Sequence, residues 1–72
     1  MSRLPLLSGK DVSKALSRIG FHPIRQRGFH LYMQHLDGRS TVVPMYREMD
    51  RNLLKRILKE AKVREDEFLK SL

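Results

Sequence analysis

The segment from residue 25 to residue 39 places a histidine at the start of a predicted strand with arginines on both flanks, which suits phosphodiester binding or cleavage. His30 follows Arg27 and Gly28 closely. A neutral imidazole accepts and returns a proton near pH 7, and guanidinium groups make paired contacts with phosphate oxygens. His30 is therefore a candidate proton acceptor for the cleavage of RNA. The residues predicted to contact RNA are Lys10, Arg25, Arg27, Gly28 and Arg39.

RNA supplies its own nucleophile, the 2′-hydroxyl, so this chemistry needs a proton acceptor and cationic donors but no metal ion. The spacings between His22, His30 and His35 match no familiar zinc pattern, and we predict no metal and no cofactor. His22 is expected to be structural or solvated, and His35 to bond the loop backbone. Considered alone, a strand histidine such as His30 more often only packs on the sheet surface, and that alternative stays open.

The charge balance favours a polyanionic partner. Fifteen Lys and Arg against eight Asp and Glu give a net charge of +7 in 72 residues, and such a field attracts nucleic acid or an acidic protein. A basic solvated surface without a ligand is the alternative. There is no cysteine, no long apolar run and no signal-peptide pattern, so we expect a single cytoplasmic domain over residues 1–72 with no membrane association.

The chain begins with a predicted amphipathic helix. Ser8 and Asp11 have the spacing of a capping box, and Gly20 is suited to a left-handed helix end, with Phe21 folding back. The apolar residues lie on one face at helical spacing: Val12, Ala15, Leu16 and Ile19.

Three antiparallel strands are predicted next, at about residues 22–27, 29–35 and 39–44. Asp37-Gly38 predicts a two-residue type I′ turn between the second and third strands. That register places Leu31 and Met33 on the helix-facing side with Val42 and Pro44. The opposite face would then carry His30, Tyr32, Gln34, Thr41 and Val43.

Two helices complete the predicted order. The apolar stripe of the first is Leu53, Leu54, Ile57, Leu58 and Ala61, and its outer side carries a basic ridge of Arg51, Lys55 and Lys59. Residues 65–67 are acidic, which suits the first turn of a short final helix. The result is an α+β fold, an α-β-β-β-α sandwich like the double-stranded-RNA-binding domain, with a short C-terminal helix.

The motifs from Ser8 to Leu69 resemble the HicA-type toxins, small mRNA interferases, in the order shown by that family. The matching motifs are Ser8-Gly9-Lys10-Asp11-Val12, Gly20-Phe21, Gly28-Phe29-His30, Asp37-Gly38-Arg39, Val43-Pro44, the helix from Leu53 to Lys59, and Glu67-Phe68-Leu69. The resemblance implies a toxin of a type II toxin–antitoxin pair that cleaves mRNA with His30 as its catalytic residue. It also implies a HicB-like antitoxin partner. The toxin alone is expected to be a monomer, and it is expected to form a hetero-oligomer with its antitoxin.

Two residues depart from the family pattern. Phe29 replaces a serine before the histidine, and Tyr46 stands where a histidine often follows Val-Pro, so the pattern also fits a weak or lost activity. Phe29 could instead stack on a nucleobase. Two further functions stay open for the same fold: a non-catalytic double-stranded-RNA-binding module and a protein-interaction module.

Overall fold

Three helices and three strands follow one another in the predicted order within the part of the chain that the structure describes. The computed structural model describes residues 4–72. It contains α1 (Gly9–Ile19), β1 (Phe21–Arg27), β2 (His30–His35), β3 (Ser40–Pro44), α2 (Arg51–Ala61) and α3 (Glu65–Lys70). The antiparallel sheet has the order β1-β2-β3, and the long helices pack against one face of it. The predicted α+β class and the arrangement like the double-stranded-RNA-binding domain are confirmed. No helix within residues 4–72 is long and apolar enough to cross a lipid bilayer.

Helix α1 has the predicted ends. The Ser8 hydroxyl accepts a hydrogen bond from the Asp11 N–H at 3.1 Å, and the Asp11 carboxylate accepts one from the Ser8 N–H at 3.4 Å. Gly20 ends the helix at φ 114°, with its N–H directed to the Leu16 and Ser17 carbonyls. These caps satisfy backbone groups that a helix leaves unpaired. The buried residues of α1 that belong to the core are Val12, Ala15 and Leu16.

The turn between β2 and β3 differs from the prediction. The His35 N–H donates to the Arg39 carbonyl at 2.8 Å, and the Gly38 N–H donates to the His35 carbonyl at 2.9 Å. Gly38 has φ 98°, whereas Asp37 does not have a positive φ. This is the three-residue loop in which a type I turn is followed by a left-handed glycine. The predicted type I′ turn is therefore wrong.

The longer loop shifts β3 by one residue against β2. Met33 pairs with Thr41 and Leu31 with Val43, so Thr41 and Val43 turn toward the helices and are buried. A one-residue slip moves every side chain to the other face, which is why the predicted facing of β3 is wrong. Val42 and Pro44, which were predicted to face the helices, instead pair with Tyr32 and His30 on the opposite face.

Strand β1 is an edge strand with a bulge in its middle. Pro23 pairs with Met33 and Arg25 with Tyr32, so Ile24 is the extra residue on β1. Its side chain is 53% exposed. Proline donates no backbone hydrogen bond and is tolerated on an edge strand, as the sequence predicted.

Arg39 ties the β2–β3 loop to the end of α2. Its N–H and Nε donate to the two carboxylate oxygens of Asp37 at 3.0 and 2.8 Å. Its Nη1 donates to the carbonyls of Ala61 and Lys62 at 3.2 and 3.0 Å, where the helix dipole favours a cation. The Arg39 N–H, followed by its guanidinium, lowers the pKa of Asp37 below its ordinary value of 3.8.

The start of α1 is locked against the chain that leaves β3. The Gly9 N–H donates to the Tyr46 carbonyl at 2.8 Å. A Cβ atom added at Gly9 would collide with the Pro44 carbonyl oxygen and lie 2.7 Å from the Met45 Cα. Only a glycine allows the two backbones to approach this closely. We name this contact the α1–β3 junction (Gly9, Pro44, Met45 and Tyr46).

We expect Gly9→Ala to lower the free energy of unfolding by about 1–3 kcal/mol, because overpacking forces the junction apart. Alanine has a higher helix propensity than glycine. A loss of stability would therefore be due to the collision with the Pro44 carbonyl and not to helix propensity. Lys10→Ala, at the exposed neighbouring position, is the control and should change stability by less than about 0.5 kcal/mol. Urea unfolding measures both. Equal stability of Gly9→Ala and the wild type would contradict the close contact.

Asp37→Asn should reduce stability at neutral pH, because asparagine loses the charge attraction to Arg39. The lowered pKa of Asp37 means that its contribution is present above pH 3.8 and is lost as pH falls through the lowered value. The difference in unfolding free energy between wild type and variant should therefore shrink in acid. Denaturant unfolding between pH 6 and pH 2 measures it, and a difference that stays constant would contradict this assignment.

Candidate functional site

Three chain segments meet at the end of the sheet where His30 begins β2. The Met45 N–H donates to the Phe29 carbonyl at 2.6 Å, and the next residue, Tyr46, accepts from Gly9 at 2.8 Å. The residues before β2, the residues after β3 and the first turn of α1 are therefore joined by backbone hydrogen bonds. The α1–β3 junction thus supports the backbone around His30.

A tight turn places His30 at the first position of β2. Arg27 pairs with His30, which leaves only Gly28 and Phe29 in the turn. Gly28 has φ 59° and Phe29 does not have a positive φ, the pattern of a type II′ hairpin turn. A Cβ at Gly28 would meet no atom within 4 Å, so it is the backbone conformation that requires glycine here.

The His30 imidazole is free to meet a ligand. The residue is exposed, and within residues 4–72 its ring has no hydrogen-bond, ion-pair or ring partner. It shares a sheet face with Arg27 through their direct pairing. An exposed imidazole with no structural bond can accept a proton from a bound molecule.

His35 has the opposite character. Its Nδ1 accepts from the Asp37 N–H at 3.1 Å, so Nε2 carries the proton and donates to the Ile19 carbonyl at 3.2 Å. The ring also lies edge-on to Phe21, with centroids 5.1 Å apart. The prediction that His35 bonds the loop backbone is confirmed.

His22, the third histidine, is exposed on β1 opposite Gln34.

Three of the predicted RNA-contacting residues lie near His30, and a fourth, Lys10, lies at the same end of the sheet. Arg27 is its cross-strand partner and Gly28 forms the adjoining turn. Arg25 lies two pairs further along, on the same face, with its guanidinium carbon 4.9 Å from the centre of the Tyr32 ring. Lys10 follows Gly9 in the first turn of α1 and is exposed at the same end of the sheet.

Arg39 is the predicted contact that the structure places elsewhere. It lies opposite His35, at the other end of β2, about 17 Å from His30 for a strand of this length. Its guanidinium already bonds Asp37 and the carbonyls at the end of α2. Its contact with RNA stays a prediction.

The sheet carries no acidic side chain to oppose an anion near His30. None of the residues of β1, β2 or β3 is Asp or Glu. Asp37, in the β2–β3 loop, lies at the far end and is paired with Arg39. The field around His30 therefore favours a negatively charged ligand.

The basic ridge of α2 is only partly available. The Arg51 Nε donates to the Leu4 carbonyl at 2.7 Å, so that side chain holds the N-terminal segment. Lys55 and Lys59 are exposed. The ridge remains a candidate for phosphate or protein contacts through its two lysines.

Sequence reasoning gave no role to Gly9. Its signal was a glycine at the start of a helix where alanine would have favoured helix formation. The signal was ambiguous because a helix start tolerates glycine well.

Within residues 4–72 there is no cluster of three or more His, Cys, Asp or Glu side chains suited to a metal ion.

We expect His35→Ala to lower the free energy of unfolding by about 1–3 kcal/mol, because the Asp37 N–H and the Ile19 carbonyl lose their partner. His30→Ala should change it by less than about 0.5 kcal/mol, since this ring makes no structural bond. Thermal or urea unfolding of the two variants makes the comparison. Equal effects would show that burial and bonding do not distinguish these histidines.

Comparison with known proteins gives a family match that covers most of the fold. The chain matches the family described as HicA toxin of bacterial toxin-antitoxin over residues 9–63. This range runs from the first residue of α1 to two residues beyond α2 and includes the whole sheet. The comparison with curated proteins gives no match. Because the family match covers most of the sequence, the chain belongs to the HicA toxin family of bacterial toxin–antitoxin systems.

Proposed function

We propose that this toxin is a metal-independent endoribonuclease that cleaves mRNA with His30 as its catalytic residue. One observation carries the proposal: an exposed imidazole without a structural partner starts β2 beside Arg27, on a sheet without carboxylates. That combination suits an anionic substrate with a proton to give up.

His30 acts on the 2′-hydroxyl of the RNA. The imidazole takes the 2′ proton as the oxygen attacks the adjacent phosphorus, so the P–O2′ bond forms and the P–O5′ bond breaks. The products are a 2′,3′-cyclic phosphate and a 5′-hydroxyl, whose proton comes from the imidazolium or from water. A single positioned histidine contributes roughly 10²–10⁴-fold to such a reaction.

Arginine and lysine stabilise the extra negative charge of the phosphorane. Arg27 lies opposite His30 in the hairpin, and its planar guanidinium suits two phosphate oxygens at once. Arg25 and Lys10 extend the positive surface along the RNA backbone. Gly28 lets the protein chain reverse tightly, so that the hairpin turn and His30 can approach the RNA.

A HicB-like antitoxin is the proposed partner. The family belongs to toxin–antitoxin systems, and a net charge of +7 attracts an acidic face through long-range steering. Direct binding over His30 would exclude mRNA. We further propose a cytoplasmic toxin that is monomeric alone and hetero-oligomeric with its antitoxin.

A double-stranded-RNA-binding module without activity is the alternative function. Such domains bind the duplex partly through the N-terminus of the second helix. Here Asp50 caps that end by accepting from the Asn52 N–H at 2.7 Å, and Arg51 bonds the Leu4 carbonyl. Neither side chain is arranged to receive phosphates, so the sequence and structure favour the nuclease.

Incubation of single-stranded RNA with purified protein in EDTA tests the proposal. His30→Ala should reduce the cleavage rate by about 10²–10⁴-fold, since the proton acceptor is lost. His22→Ala is the matched control, because His22 is also an exposed strand histidine. It should cleave like the wild type.

Cleavage by His30→Ala at the wild-type rate would contradict the role of the histidine. If wild type and His30→Ala leave RNA intact but retard duplex RNA equally, the binding-module alternative is correct. Cleavage that appears only after a divalent metal is added would contradict metal independence.

A further inference from the structure

Two aromatic rings are exposed at the His30 end of the sheet. Phe29 is 68% exposed and Tyr46 is 47% exposed. Phe21 and Phe68 are instead buried in the core. Tyr32, on the His30 face, is partly exposed with Arg25 over its ring. All aromatic residues that are not buried therefore lie on or beside the proposed active site within residues 4–72.

The positions of Phe29 and Tyr46 are fixed by their backbones. Phe29 occupies the second central position of the type II′ turn, and its carbonyl accepts from the Met45 N–H. Tyr46 follows Met45 directly, and its carbonyl accepts from the Gly9 N–H. Neither ring is held by a ring or cation contact within residues 4–72. The backbone at both positions is thus held by hydrogen bonds, while the ring faces are available to a ligand.

The charges around the two rings suit a polyanion, and the exposed rings themselves favour nucleic acid among polyanions. Phe29 lies between Arg27 and His30 in the chain. Lys10 follows Gly9, whose N–H donates to the Tyr46 carbonyl. The neighbouring strands carry no carboxylate. Aromatic rings set in a positive surface bind unpaired nucleic acid, because bases stack on the rings while cations follow the phosphates.

We propose that Phe29 and Tyr46 are nucleobase-stacking residues that position an unpaired RNA strand with its phosphodiester at His30. The inference rests on the proposed nuclease function and specifies its substrate as RNA whose bases are unpaired at the cleavage point. In a duplex the base faces are already stacked on each other, so the rings gain nothing from them. Duplex RNA is consequently a poor substrate.

A strand that cannot be cleaved separates binding from catalysis. The probe is a single-stranded 2′-O-methyl oligoribonucleotide carrying 2-aminopurine, whose fluorescence is quenched when the base stacks. Phe29→Ala and Tyr46→Ala should each weaken binding on the order of 10- to 100-fold and reduce the quenching. Phe29→Trp keeps a flat ring and should restore both.

Leu36→Ala is the matched control. Leu36 is an apolar residue, 90% exposed, in the loop at the opposite end of β2. Its removal lowers surface hydrophobicity as Phe29→Ala does, but away from His30, and should leave affinity and quenching unchanged. With cleavable RNA, Phe29→Ala should raise KM more than it lowers kcat.

Wild-type affinity and quenching in Phe29→Ala would overturn the proposal. Unchanged RNA binding combined with lost antitoxin binding would also overturn it and would assign the ring to a protein interface. The nuclease proposal is tested separately. If His30→Ala cleaves like the wild type, the histidine's role fails, while the uncleavable probe still decides whether the rings stack on bases.

Discussion

The close approach of two backbones at Gly9 is the constraint on which the rest of the site depends. Helix α1 can start against the end of β3 only because residue 9 has no side chain to meet the Pro44 carbonyl. The hydrogen bonds from Gly9 to Tyr46 and from Met45 to Phe29 extend that contact to the turn before His30. A helix start and two strand ends are thereby joined by backbone hydrogen bonds beneath a histidine whose side chain makes no bond of its own within residues 4–72.

The two ends of β2 use similar residue types for different purposes. At the far end, His35, Asp37 and Arg39 bond one another and the ends of two helices, so their polar groups are consumed by the fold. At the near end, the His30 and Arg27 side chains lie side by side without such bonds to the rest of residues 4–72. Stability and ligand binding are thus separated along a single strand.

Sequence patterns predicted α1, α2 and the order of elements because caps and apolar spacing are local signals. The β2–β3 register was not predictable from Asp37-Gly38, since that pair fits both a two-residue turn and the observed three-residue loop. Gly9 gave no clear signal because its role depends on a strand end that comes much later in the chain. Arg39 was grouped with His30 through proximity in sequence, although a full strand separates them.

The central claim is that His30 activates the 2′-hydroxyl of RNA, and the chemistry of the cleaved ends tests it most directly. Mass spectrometry of an oligoribonucleotide cut in EDTA should find a 2′,3′-cyclic phosphate and a 5′-hydroxyl. A single 2′-deoxy substitution at the cleaved position should abolish the cut there. Products with a 3′-hydroxyl and a 5′-phosphate, or cleavage at the deoxy position, would show that the 2′-hydroxyl is not the nucleophile and would contradict the account.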